Sequence, residues 1–370
     1  MAKIFNSRSL IIILSIFIFL NSKVYTNNYD NQFSADNQDW DEDDDWEEDD
    51  NWEKVDQKDE LDKGRRSYKN KRYQKLSKDI SFQIFTGYPI LNSTISPQEL
   101  TNDEETDINW DPNSMFTLGI AGSYKGIGLS LEFNIPNSAR DETLYGNTDY
   151  WDLQFHYFHR YFGVDLFYQT YSGFYLDNPA DFDSSWEEGD AFTQNSTMHM
   201  FTTGANLYYI HSEKFSIKAA YEQSERQMKS GGSFLLMFSN HLLTISNPTS
   251  LIPENQQEYY GDEASFSGGS FFTSSLAPGY GHMFVHDILY FAPIAFLGGG
   301  VQFQKYDLDS GRIQKIKGAF KFNPNFSLGL NGEKFFTGLT VLTNMNYITL
   351  EQADILSMSF YMKLYVGMRF

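Results

Sequence analysis

The stretch DYWDLQFHYFHRYFGVDLFYQTY, residues 149–171, carries Asp152, His156 and Arg160 four residues apart, then Asp165 and Gln169 at the same spacing. In a β-hairpin this puts all five side chains on one face. A two-residue turn at Phe162 and Gly163 sets Arg160 opposite Asp165 and His156 opposite Gln169. A histidine among carboxylates could move protons as a general acid or base, which makes His156 the weak candidate for a catalytic group. The same residues equally make a polar ladder that ties a wall together. His199, His241, His282 and His286 have no serine set against them by the sequence.

Other chemistry is sparse. The absence of cysteine excludes disulfides, thiolate metal sites and thiol nucleophiles. There is no Walker loop, HExxH or GxSxG. Asp177, Asp181, Asp183, Glu187, Glu188 and Asp190 crowd one segment, but their spacing is not that of an EF-hand. No metal and no cofactor is expected, nor a nucleic-acid partner. A break in the strand pattern at SERQMKSGGS leaves Arg226, Lys229, Ser230 and Ser233 as residues of an inward loop or constriction.

The elements that must hold these groups are strands. SMFTLGIAGSYKGIGLSLEFNI, residues 114–135, folds about a turn at Lys125 and Gly126, with Leu118, Ile120, Leu129 and Leu131 on one face and Gly119, Ala121, Ser130 and Glu132 on the other. A second turn is expected at Asn331 and Gly332, a type I′ signal. From Leu356 to Phe370 every second residue is apolar, and Lys363 and Arg369 lie on the opposite face. Long two-faced strands, short turns alternating with long polar loops, and such a closing stretch describe a transmembrane antiparallel β-barrel. Leu364, Val366, Met368 and Phe370 then form an assembly signal for the outer-membrane assembly machinery, and the apolar face meets outer-membrane lipid. Thirteen segments can be counted. An even number is required, so one segment between 196 and 267 is miscounted and twelve strands are expected, within a range of ten to fourteen.

Residues 1–22 read as a signal peptide: Lys3 and Arg8 precede an eleven-residue run, apolar except for Ser15, short of the roughly 20 that span a bilayer as a helix. Residues 23–79 are an acidic, then basic, periplasmic segment. Asp36 to Asp62 carries −14 of the chain's net charge of −21, and such self-repelling sequence is expected to be disordered. Trp40, Trp46 and Trp52 recur within it, suited to docking on a basic periplasmic partner. The barrel occupies residues 80–370.

The stretches SYKGIGLSLEFNIPNS (123–138), YGNTDYWDLQFHYFHRYFGVDLFYQTYSGFYLDNP (145–179) and QSERQMKSGGSFLL (223–236) resemble the bacterial domain-of-unknown-function family 4421. The resemblance implies an outer-membrane barrel without an assigned activity. Three functions follow as expectations: a narrow pore or structural anchor, a lipid-modifying enzyme of the outer membrane, or an anchor for the acidic tryptophan-bearing tail. An enzyme is the less expected of these classes.

Overall fold

A computed structural model describes residues 73–74, 80–98, 106–124, 127–135 and 138–370. Residues 1–22, expected as a signal peptide, the acidic tract with Trp40, Trp46 and Trp52, and the turn residues 125–126 lie outside these.

Twelve strands form the wall: β1 Ile80–Pro97, β2 Thr117–Tyr124, β3 Ile127–Asn134, β4 Asp149–Phe158, β5 Phe162–Leu176, β6 Gln194–Ile210, β7 Gly231–Ser246, β8 Gly268–His286, β9 Leu289–Leu308, β10 Gly311–Asn331, β11 Phe335–Thr349 and β12 Ala353–Arg369. Each pairs antiparallel with the next, and β12 pairs with β1 from Ala353↔Pro97 to Arg369↔Ser81, which closes the ring. Closure leaves no edge strand; the β10–β11 ladder is short, Phe326–Asn331 on Val341–Phe336, and beyond it Asn323 donates to Thr343 O and the Thr343 amide to Asn325 Oδ1, each at 2.7 Å. A four-residue strand, Ile108–Asp111, wedges between β1 and β5 above the short β2 to β4. No described helix is long and apolar enough to cross a membrane; the chain crosses with strands.

The pleat sorts the two faces. Phe82, Ile84, Leu118, Ile120, Leu129 and Val366 are among the large apolar side chains exposed outward, a band that lipid covers. On β12, Leu364, Val366 and Phe370 face out, whereas Tyr365 and Arg369 are buried inside. A one-residue slip would turn Lys363 into lipid, at about 2–4 kcal/mol.

Ile80 and Phe370 meet at one end, where the Phe370 amide donates to the Ile80 carbonyl; this is the proximal end. The miscounted segment is 214–222. Its Phe215 and Ile217 alternate like a strand, but Lys218–Glu222 forms a π-helical turn that enters the barrel, so thirteen segments become twelve strands. The hairpin at Phe162 turns two residues earlier than its sequence suggests, which shifts each cross-strand partner by four, with Phe158 opposite Gly163, His156 opposite Asp165 and Asp152 opposite Gln169. The Asn331–Gly332 turn is also displaced. Asn331 pairs with Phe336, Gly332 begins the loop, and Gly332 is not among the residues of positive φ, so no type I′ turn forms. β1 and β5 are long and run on through residues 89–97 and 172–176.

Two apolar clusters close the barrel. At the distal end, residues 247–267 dip inward, and Leu251, Ile252, Tyr260 and Phe266 pack on Ile95, Met200, Ile245 and Phe271 of the wall. The Trp110 indole donates to Leu251 O at 3.0 Å, and the Tyr260 hydroxyl to Ile95 O at 3.0 Å. At the proximal end, Phe215, Ile217, Ala219 and Ala220 of the inward segment pack on Phe158, Ile210, Leu235 and Ile294.

Candidate functional site

Between the two clusters lies a polar chamber of about 140 Å³. Inward positions of β4, β5, β6, β10, β11 and β12 supply its walls, among them Gln154, His156, Asp165, Gln169, Asn206, Lys321, Asn323, Asn325, Asn344 and Lys363. The pleat brings in each of them, because the lipid face of the same strands has no room for charge.

Asp152, the centre of one network, accepts from Tyr150 at 2.8 Å, Gln169 at 2.9 Å and Gln154 at 3.0 Å, all on Oδ2. Glu132, on the adjacent strand β3, accepts from Tyr361 at 2.6 Å and from Thr117. Lys363 lies with both carboxylates in an adjoining recess. Across the barrel, Lys321 donates to Asn344 Oδ1 at 2.8 Å.

The floor of the chamber is the tip of the inward segment, residues 211–230, which we term the plug. Glu222 Oε1 lies 3.5 Å from His156 Nε2, and Ser224 donates to Glu222 Oε2 at 2.8 Å. Burial pushes the Glu222 carboxyl up to about 8. Gln223 turns the plug with a left-handed backbone, φ 57°, an uncommon conformation for a residue other than glycine. Its side chain donates to Tyr290 at 2.8 Å, and Ser327 donates to Ala220 O at 2.8 Å. Arg369 donates to Gln223 O, Gly332 O and Asn331 Oδ1, each at 2.6 Å.

Of the polar cluster read from sequence, Asp152, His156, Asp165 and Gln169 share the lumen. Arg160 does not: the earlier turn carries it to the proximal rim, where it pairs with Glu213 at 3.2 Å instead of Asp165. A hydrogen bond from Tyr161 holds the exposed Glu213 below the usual carboxylate range. Arg226, Lys229, Ser230 and Ser233 do not line the constriction. Arg226 reaches Asp287 in the β8–β9 turn, Lys229 O accepts from Gln227, Ser230 bonds to Val285, and Ser233 caps the Ser212 amide. The narrowing residues lie upstream, from Ala219 to Ser224. Glu132, Lys321, Lys363 and the asparagines were hidden in strands whose lumen parity was legible but whose lateral neighbours were not.

One histidine does meet a serine. Ser172 Oγ and His199 Nδ1 are 2.7 Å apart on the outer face, across the β5–β6 ladder. They stand above an aromatic row of Trp151, Tyr168 and Phe201, and Ser172 precedes a bulge at Gly173, φ 91°. In the acidic segment, Asp183 caps the Ser185 amide and Asp190 the Glu187 amide. Among the described residues no group of three or more His, Cys, Asp or Glu is placed to hold a metal.

Residues 71–370 match the family model described as Domain of unknown function (DUF4421). The chain belongs to this family. No curated protein matches this DUF4421 chain. Solved structures similar to it include the outer membrane protease OmpT from Escherichia coli, with 8% identity, TM-score 0.37, and coverage of 82% of this chain and 100% of that one. The β domain of the Bordetella autotransporter BrkA has 9% identity, TM-score 0.33 and coverage of 78% and 99%. The Pseudomonas putida toluene transporter TodX has 7% identity, TM-score 0.29 and coverage of 79% and 90%.

Proposed function

We propose that this DUF4421 protein is an outer-membrane barrel working as a normally closed narrow pore, with its proximal end in the periplasm and the plug as its gate. The supporting observation is the polar chamber behind the plug. A barrel serving only as an anchor gains nothing from keeping charged and amide groups around a cavity, since filling it with apolar side chains stabilises the wall more. The plug is held to that wall by the proximal apolar cluster and by hydrogen bonds to Tyr290, Ser327 and Arg369, and its release opens the chamber without breaking the strand ladder.

The chain has no cysteine, so Asn323→Cys places a single thiol in the chamber. Methanethiosulfonate ethylammonium added to barrels in lipid vesicles is expected to modify it, and the pair Ala220→Cys/Ser327→Cys, oxidised to tether the plug, is expected to stop modification. A thiol at 323 that reacts only after unfolding would leave the structural anchor in place of the pore.

The Ser172–His199 contact favours a second reading, hydrolysis of lipid acyl esters at the outer face. Ser172 Oγ would attack the ester carbonyl while His199 takes its proton and returns it to the leaving alcohol; water then cleaves the acyl-serine. Labelling by a fluorophosphonate that is lost in Ser172→Ala supports it, and equal labelling of both proteins removes it. A role for the tail in docking a basic periplasmic partner through Trp40, Trp46 and Trp52 rests on sequence. Pull-downs with residues 24–79 against a scrambled tail test it.

A further inference from the structure

Two charges in the chamber lack counter-ions. Lys321 is 4% exposed, and its ammonium meets only the neutral Asn344 amide oxygen. Asp165 bonds to the Asn206 amide, and the charge acting on it is another carboxylate, Asp152. Neither takes part in an ion pair among the described residues. They sit on β10 and β5, five strands apart in a ring of twelve and so nearly across the lumen from each other. Both face the same cavity. Uncompensated buried charge is costly and is ordinarily paired or neutralised; here the arrangement leaves the partner to a solute.

The walls between them are suited to that solute. Asn206, Asn323 and Asn325 line the gap, and Asn323 Oδ1 is buried without a partner. The volume, about 140 Å³, is close to the roughly 150 Å³ of a protein cavity that accommodates a six-carbon ring. An anion would satisfy Lys321 and leave Asp165 bare. A cation would do the reverse. A neutral polyol would satisfy the amides alone.

We propose that the chamber binds a small zwitterion of α-amino-acid size, its carboxylate on Lys321 and its ammonium on Asp165. This deepens the pore reading, on which it rests for the passage of that solute. Binding itself is measured without any gate opening. Both mouths are closed by packed clusters, so the probe is offered while the urea-unfolded protein refolds into detergent, and retention is counted after rapid desalting.

Radiolabelled alanine is expected to remain at about one per barrel, whereas lactate, in which a hydroxyl replaces the ammonium, and alaninamide, which lacks the carboxylate, are each retained about tenfold less or worse. Lys321→Met and Asp165→Asn are each expected to lower alanine retention by a similar factor. Asp165→Asn removes the preference for alanine over lactate, and Lys321→Arg keeps the preference. The folded, heat-modifiable gel band confirms that each variant has formed its barrel. Retention of lactate equal to that of alanine, retention unchanged by both substitutions, or no retention in the parent protein would overturn the proposal. A chamber that retains alanine but never admits the thiol reagent would instead remove the pore and keep the site.

Discussion

Arg369 in β12 donates a hydrogen bond to the main-chain carbonyl of Gln223 at the tip of the plug, 2.6 Å away. The same guanidinium holds Gly332 O and Asn331 Oδ1 and lies over the Phe336 ring at 4.5 Å. One buried side chain therefore joins the plug to the β10–β11 loop. Hydrogen bonds from charged groups contribute about 1.5–3 kcal/mol each, and those to Gly332 and Asn331 act within the wall, so the plug's share is about one such bond. Arg369→Ala is expected to raise the rate of thiol modification at Asn323→Cys about tenfold or more, with the folded gel band retained. An unchanged rate would mean that Arg369 serves the wall alone.

Docking of the plug should depend on pH through Glu222. Its carboxyl titrates near 4.5 when free and at about 8 when buried, so the docked plug holds a proton that the released plug gives up. Docking is therefore strongest below about 4.5, weakens as pH rises to about 8, and changes no further above it. The groups around it are His156, Ser224, Lys218, Glu225 and Lys363. Thiol reactivity itself changes with pH, so the quantity to follow is the labelling rate at Asn323→Cys divided by that of the same variant carrying Glu222→Gln. That ratio is expected to rise from pH 5 to pH 8; a flat ratio would exclude the linkage.

A glycine supports the same contact from behind. Gly128 pairs with His156 across the β3–β4 ladder, and a Cβ there would lie 1.9 Å from His156 Nε2. The imidazole lies over the glycine and reaches Glu222 because that space is free. Gly128→Ala must displace the ring, and crowding of this kind costs about 1–3 kcal/mol. A lower urea midpoint by tryptophan fluorescence is expected, together with faster thiol labelling. Gly318, whose added Cβ meets nothing within 4 Å, is the control: Gly318→Ala should leave both unchanged.

The sequence conveyed the wall better than its contents. Period-two alternation placed Leu118 and Ile120 in lipid and Glu132 in the lumen, because the two sides of a barrel strand meet different solvents. It failed where the turn chemistry was decisive: Phe162–Gly163 and Asn331–Gly332 looked like tight turns, yet each true register sits four residues away. A shift of four preserves every residue's face, so Asp165 and Gln169 remained inward while Arg160, carried into the turn, did not. Residues 214–222 misled for a related reason. An apolar plug inside a barrel and an apolar strand facing lipid bury the same residue types, and periodicity over nine positions does not separate them. Lys321 and Asp165 share a chamber only through ring closure, which no local pattern encodes.

The segment leading into the barrel touches the plug as well. Tyr73 and Gln74 pair antiparallel with Gln227 and Arg226, at the limb by which the plug returns to β7. A two-residue ladder is weak, since a typical backbone hydrogen bond contributes about 0.5–1.5 kcal/mol, but it joins the plug to the sequence that precedes the barrel. Removing residues 24–79, with residues 1–23 retained, is expected to raise the thiol labelling rate at Asn323→Cys by a few fold, less than Arg369→Ala does. Replacing Gln74 with proline, which lacks the amide hydrogen and resists ladder pairing, should reproduce that rise in the full-length chain. If truncation speeds labelling and Gln74→Pro does not, the tail acts on the plug by a route other than this ladder; if neither changes it, the plug is held by the wall alone.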